Sequence, residues 1–215
     1  MVRIVKKAEE RKSEIIAAAC QLFLTKGYDS TTMQDVMRHL QIAKGTIYHY
    51  FSSKEQLLEA VIDSVAEDEM QRLNETLDNT KGNALERLEH LIMDGANRHG
   101  EGDHEELLGH LHKTANAGMH IRLLAKVVTM QAPLYAALFR QGCEEGIFAT
   151  DHPLECAEFL LSGIQFLTDM GIYSWTPEQL ERRWRAFPKL IENQLKAPED
   201  SFSFLFRVNS GDQQK

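Results

Sequence analysis

Lys44, Gly45, Thr46, Tyr48 and His49 place a cation, a hydroxyl, a phenol and an imidazole around one glycine, and Lys54 follows close behind. On an ordinary protein surface such a set is idle area. In a major groove the same groups reach phosphates and base edges, and the glycine lets backbone come close. Lys54 adds a second sign, because a cation in the first turn of a helix opposes the macrodipole at a cost of about 0.3–1 kcal/mol. A phosphate at that place is held by the lysine and the free amides together.

The elements that must carry these residues are helical. Ile15, Ile16, Ala19, Leu22 and Phe23 share one face of a first helix over 9–26, and Gly27 stops it. Thr31 and Gln34 predict a capping box at the start of a second, short helix, whose Met33, Val36, Met37 and Leu40 follow at i, i+3, i+4 and i+7. After Gln41-Ile42-Ala43 a third helix runs over 44–51. Ile47, Tyr50 and Phe51 face the other two, which leaves Lys44, Gly45, Tyr48 and His49 on the outside and Thr46 at the N-terminal flank. Two short helices joined by a three- or four-residue turn make a helix-turn-helix. Ser52 and Ser53, with Glu55 and Gln56, predict overlapping capping boxes for a fourth helix.

Gly27-Tyr28, then Thr31-Thr32-Met33-Gln34-Asp35-Val36, then Lys44-Gly45-Thr46-Ile47-Tyr48-His49-Tyr50-Phe51 and Lys54-Glu55-Gln56-Leu57-Leu58 resemble the TetR/AcrR family of bacterial transcriptional regulators over residues 9–62. The resemblance implies a homodimer whose N-terminal three-helix domain binds a palindromic double-stranded DNA operator, usually to repress, until a small-molecule effector enters the C-terminal helical domain. It also implies that Lys44, Gly45, Thr46, Tyr48 and His49 lie on the recognition helix, Thr32 and Gln34 at the start of the supporting helix, and Lys54 on a backbone phosphate. Two residues depart from the family pattern. Gln41 stands where glycine is usual, so it must adopt a left-handed backbone or reshape the turn, at about 1 kcal/mol. Ala43 stands where a serine commonly caps the recognition helix, which loses about 1 kcal/mol and one hydroxyl.

The overall charge of −8, from 24 basic and 32 acidic residues in 215, argues against a nucleic-acid partner until it is divided along the chain. Residues 1–54 hold nine basic and five acidic side chains, a surplus of four positive charges; the rest carries a deficit of twelve. The division matches a DNA-binding head over 1–54 and an acidic effector-binding and dimerisation body over 55–197, with a flexible or loosely docked tail over 198–215.

The body reads as further helices near 84–98, 103–117, 119–145, 153–171 and 177–195, about nine helices in all and an all-α fold, with Pro133 expected to kink the long one or end it early. Ala157, Leu160, Leu161 and Ile164 form a stripe on the penultimate helix, and Leu180, Trp184, Phe187 and Ile191 form one on the last. Two such stripes from each of two subunits make an intersubunit four-helix bundle. Met93, Met119, Met130, Phe139, Phe166 and Met170 are adaptable apolar residues for an effector pocket.

His90, His99, His104, His110, His112 and His120 crowd the central helices, but Leu108 occupies the place of the second histidine in an H-E-x-x-H zinc site, so they read as surface or core histidines. No metal and no cofactor is expected. G-x-S-x-G, P-loop and G-x-G-x-x-G motifs are absent, which leaves a helical metal-binding enzyme and a constitutive DNA-binding protein without effector as the alternatives. Cys20, Cys143 and Cys156 form no disulfide framework, which fits a reducing cytoplasm. No 18-residue apolar window is found, so no membrane partner is expected.

Overall fold

Apolar periodicity decides the architecture of the computed structural model, which describes residues 8–99 and 110–206. Among the described residues there are eight α-helices and no strand: α1 (Ala8–Lys26), α2 (Met33–Leu40), α3 (Lys44–Tyr50), α4 (Lys54–Asn79), α5 (Ala84–His99), α6 (Ala117–Glu144), α7 (Pro153–Thr168) and α8 (Pro177–Leu195). A 3₁₀ turn, Thr114–Asn116, leads into α6. Of the helix expected near 103–117, residues 103–109 lie outside the described residues, as do His99's side chain and His104, and the described part breaks after 111 into the turn that precedes Thr114–Asn116.

Two apolar clusters organise the chain. The first gathers Ile15, Ala19 and Phe23 of α1, Val36 of α2, Ile47 of α3, Leu57, Val61 and Ala66 of α4, and Met119 and Leu123 of α6. The second gathers Leu73 of α4, Leu88 and Leu91 of α5, Ala136 and Phe139 of α6, Ala157 of α7 and Leu195 of α8. The core around the first three helices therefore does not close at residue 54: α4 and α6 each put one end into each cluster. Glu55, Glu59 and Asp63, at helical spacing on α4, meet Arg122 and Lys126 on α6; Lys126 Nζ is 2.7 Å from Asp63 Oδ1. Each pair is exposed and contributes about 0–1 kcal/mol, but the ladder fixes how the two bridging helices lie against each other.

α6 is long and apolar enough, by length and composition, to cross a bilayer. It instead packs against α4, α5 and α7, with buried side chains in both clusters. Of the kink or early end expected at Pro133, the early end does not occur: the helix runs on to Glu144, with Pro133 and Thr129 both on its exposed side.

Several local expectations shift. The α2 cap is Thr32 rather than Thr31: its hydroxyl accepts from the Asp35 amide at 3.2 Å, and Asp35 Oδ2 accepts from the Thr32 amide at 2.9 Å. Thr31 is fully buried and donates to the Gly27 carbonyl at 2.8 Å. At α4, Ser53 accepts from the Gln56 amide, while Gln56 Oε1 accepts from the Ser52 amide. Glu55 makes no capping box and turns to Tyr28 and Arg122 instead. The tail docks through Phe202, Phe204 and Leu205, all buried in the second cluster; Phe202 stacks on Phe148, and its amide donates to Glu192 Oε1 at 3.3 Å.

Candidate nucleic-acid interface

Gln41 is left-handed, with φ 54° and ψ 40°, so the α2–α3 turn keeps the geometry that glycine usually supplies. Its amide donates to the Arg38 carbonyl, and that of Ile42 to the Met37 carbonyl at 3.0 Å, a Schellman-like close of α2. Ala43 is the N-cap of α3 and makes no side-chain cap. The first-turn amides of α3 are thus left free of side-chain oxygen.

Burial of Ile47 at the centre of α3 fixes which face points out. Lys44, Gly45, Tyr48 and His49 are exposed, and Thr46 is half-buried with its amide on the Ala43 carbonyl at 2.9 Å. Lys44 Nζ lies 5.6 Å from the centre of the Tyr48 ring. A Cβ added at Gly45 would meet nothing within 4 Å, so its backbone is open to an approaching partner. Thr32 and Gln34 are exposed at the start of α2. With Tyr48, Lys54, Asp29, Thr31 and Met33 they line an open depression of about 430 Å³. Four of the expected DNA-contact residues, Thr32, Gln34, Tyr48 and Lys54, thus line one hollow, with Lys44 beside Tyr48.

Lys54 is held within the chain. Its Nζ donates to the Tyr28 carbonyl at 2.9 Å and the Asp29 carbonyl at 3.4 Å, and lies 4.1 Å over the Tyr28 ring. The carbonyls and the aromatic face offset the unfavourable position at the start of α4. One ammonium proton is left over for an anion at the rim of the hollow.

Tyr28 is a junction that sequence reading missed. Its hydroxyl donates to Glu55 Oε2 at 2.9 Å, and burial followed by that bond pushes the phenol up to about 12. Arg122, then Tyr28, holds the Glu55 carboxyl below its ordinary range. The Tyr28 amide donates to Asn116 Oδ1 at 2.9 Å, and buried Asn116 donates in turn to the His110 carbonyl at 2.9 Å. Gly27, at φ +94°, would put a Cβ 2.9 Å from the Ala115 Cβ. The end of α1 therefore rests directly on the 3₁₀ turn before α6. Only the glycine was visible in the sequence, as a helix stop.

The six apolar residues expected around an effector are distributed over both clusters and the surface. Met119 and Met130 belong to the first cluster, Met93 and Phe139 to the second, and Phe166 and Met170 are exposed. The stripes expected at a dimer interface are also redistributed. Ala157, Leu160, Phe187 and Ile191 are buried in the chain's own second cluster; Leu161, Ile164 and Trp184 pack against it, and Leu180 is half-buried. A periodic stripe reports that a face is covered and not by what. The apolar side chains these helices leave exposed include Leu154, Phe159, Phe166 and Leu190.

One polar cluster lies outside the DNA face. His120, in the first turn of α6, places Nε2 2.9 Å from Asp169 Oδ2, and His112 Nε2 is 3.7 Å from Asp169 Oδ1. Burial lowers the His120 pKa below the ordinary histidine value; Asp169 opposes the shift and His112 adds to it.

A sequence profile described as bacterial regulatory proteins, tetR family, matches residues 15–61, and one described as tetracyclin repressor-like, C-terminal domain, matches residues 103–190. The chain is 26% identical over 153 residues to the HTH-type transcriptional repressor KstR2 of Mycobacterium tuberculosis, covering 70% of this chain and 76% of that one. Its fold is similar to that of a TetR-family transcriptional regulator from Mesorhizobium loti, with TM-score 0.62, 23% identity, and 88% of this chain and 98% of that one covered. It is also similar to a gamma-butyrolactone receptor, with TM-score 0.52, 21% identity, and 95% and 98% covered. With the head matching one profile of this family and the body another, the chain belongs to the TetR family of bacterial transcriptional regulators.

Proposed function

We propose that the chain acts as a ligand-responsive repressor: a homodimer that binds a palindromic operator with the outer face of α2 and α3 and is released when a small molecule enters the body. The observation that carries the reading is the face itself. Lys44, Gly45, Tyr48 and His49 are exposed on a helix whose opposite side is locked by buried Ile47, and Tyr48 joins Thr32, Gln34 and Lys54 in lining the hollow. Thr46, Tyr48 and His49 read base edges, and Lys44 and Lys54 hold phosphates. The site of action is the cytoplasm, where the DNA is.

Two heads are needed for a palindrome, about 34–36 Å apart for successive major grooves. The dimer forms through the exposed rather than the buried side chains of α7 and α8. Phe159 and Phe166, seven residues apart on α7, share a face with Ser162 and Gly163, and Leu190 is exposed on α8. The release signal travels by the elements that enter both clusters, α4 and α6, and by the Asn116–Tyr28 contact, so a shift in the body changes head spacing.

The test is selection of sites from random duplex DNA followed by a compound screen for release. A recovered palindrome that some compounds displace is the expected result. Recovery of no preferred site would end the repressor reading, and a site indifferent to every compound would select a constitutive DNA-binding protein.

A further inference from the structure

We propose that His112, His120 and Asp169 form a binding site for a divalent transition-metal cation of the borderline class, zinc being its representative, and that the bound ion fixes the segment on which the DNA-binding head rests. One nitrogen from each histidine and one carboxylate oxygen lie within 4.8 Å of one another. A tetrahedral ion with ligands at about 2.0–2.2 Å sets its donors about 3.4 Å apart. His120 Nε2 is 2.9 Å from Oδ2 and His112 Nε2 is 3.7 Å from Oδ1, so side-chain adjustment within a cluster already inside 4.8 Å brings both nitrogens and one carboxylate oxygen to that spacing.

The surroundings pre-orient the ligands. Asp169 Oδ1 accepts from the amides of Gly171 at 2.8 Å and Ile172 at 3.0 Å, which fixes the carboxylate and turns Oδ2 toward His120. The His120 and Asp169 side chains are 5% and 8% exposed. Gly171 leaves room for the His112 ring, because a Cβ there would come 2.4 Å from His112 Cδ2. In the geometry described, His120 Nε2 donates to Asp169 Oδ2; the cation takes the place of that proton, which is relocated to Nδ1 by exchange with solvent, so that His120 binds as a neutral imidazole. Two imidazoles and one carboxylate select zinc, cobalt, nickel or copper over magnesium and calcium, which require oxygen donors. Three protein ligands leave a coordination position for water or a small anion on the half-exposed His112 side.

The site also has a place in the fold. His112 and His120 flank Asn116, which holds the Tyr28 amide, and Ala115, on which Gly27 rests. Asp169 caps the end of α7. A cation joining all three ties the support of the head to the body, and this coupling rests on the DNA-binding reading above, whereas cation binding does not.

The experiment uses the full chain, freed of affinity tag and stripped with chelator, in two arms. In the first, zinc is titrated by calorimetry and cobalt by its visible absorption. One equivalent per chain is expected, with a nitrogen–oxygen cobalt spectrum. His112→Ala, at a half-exposed position, is expected to weaken binding at least tenfold with its melting temperature kept; His120→Asn and Asp169→Asn are the second and third variants. Zinc affinity no tighter than millimolar, or affinity that His112→Ala leaves unchanged, overturns the site. In the second arm, affinity for a duplex selected from a random pool is measured with and without zinc. A several-fold change in the native chain that His112→Ala abolishes is expected; equal affinity in both states overturns the coupling. Failure to select any duplex sinks the regulator reading and the coupling with it, while the cobalt spectrum still decides the site.

Discussion

The Tyr28 amide donates to Asn116 Oδ1 at 2.9 Å, joining residues 88 positions apart and tying the turn after α1 to the turn before α6. Asn116 is 1% exposed, and its amide group is satisfied from both sides. Asn116→Ala leaves the Tyr28 amide without its partner and removes one of the donors to the His110 carbonyl, which keeps the Lys113 amide at 3.3 Å. The expected loss is about 1–3 kcal/mol, read as a lowered midpoint in denaturant unfolding. An unchanged midpoint would show that water replaces both bonds at no cost.

Gly27 meets two demands at once, φ of +94° and a Cβ position 2.9 Å from the Ala115 Cβ. Gly27→Ala is expected to cost on the order of 1–3 kcal/mol. Adding Ala115→Gly removes the collision but not the backbone strain, so thermal unfolding of the double variant should show partial recovery. Complete recovery would mean that the dihedral carries no cost.

Thr46 and Lys54 are expected to differ in what they contribute to DNA binding. Thr46→Ala relaxes preference among bases, by about 1–3 kcal/mol at the affected position. Lys54→Ala weakens binding to all sequences and lowers the salt slope by about 1, with some loss of stability because its bonds to the Tyr28 and Asp29 carbonyls disappear. Titrations of selected and scrambled duplexes at several salt concentrations separate the two, and identical profiles would contradict the assignment.

Asp35 gives the head a defined acid limb. Lys26 first, then the Thr32 hydroxyl and amide, hold its carboxyl far below the ordinary value of 3.8. A depressed native pKa means that the contribution is complete above 3.8 and is lost as pH falls from there through the native value. The melting-temperature difference between the native chain and Asp35→Asn should be constant above that range and shrink as acid is added. A difference that does not depend on pH would show that the carboxylate charge is irrelevant to the cap.

Phe159 and Phe187 lie close in the fold's order of helices but face different partners. Phe159 is 69% exposed and Phe187 5% exposed. Phe159→Arg is expected to leave a folded monomer with weakened affinity for a palindromic duplex. Phe187→Ala is expected to cost the subunit about 3–5 kcal/mol. Sedimentation velocity together with chemical denaturation checks both, and a Phe159→Arg dimer would move the interface elsewhere.

The head was legible because each of its demands is local. Helix periodicity, Gly27, the exposed set from Lys44 to His49 and the anomalous Lys54 all act within a few turns of chain, and charge divided along the sequence pointed to the same region. Even there the cap moved from Thr31 to Thr32, because which of two adjacent threonines faces solvent depends on the buried bonds that Thr31 makes to α1 and Gly27. In the body, periodicity located the helices but not their neighbours, so Ala157, Leu160, Phe187 and Ile191 looked free for a second subunit although all four are buried in the chain's own second cluster.

By itself the sequence determined an all-helical chain with a helix-turn-helix head, since those properties follow from spacings that a single helix or turn reads out, while the regulator role came from the resemblance of that head to the TetR family. Tertiary structure alone decided what sits across large separations: Asn116 on Tyr28, and Asp169 beside His112 and His120. Those positions share no period and no motif. They meet because α4 and α6 each thread both clusters and carry the ends of distant segments to one place, and packing of that kind depends on every helix at once.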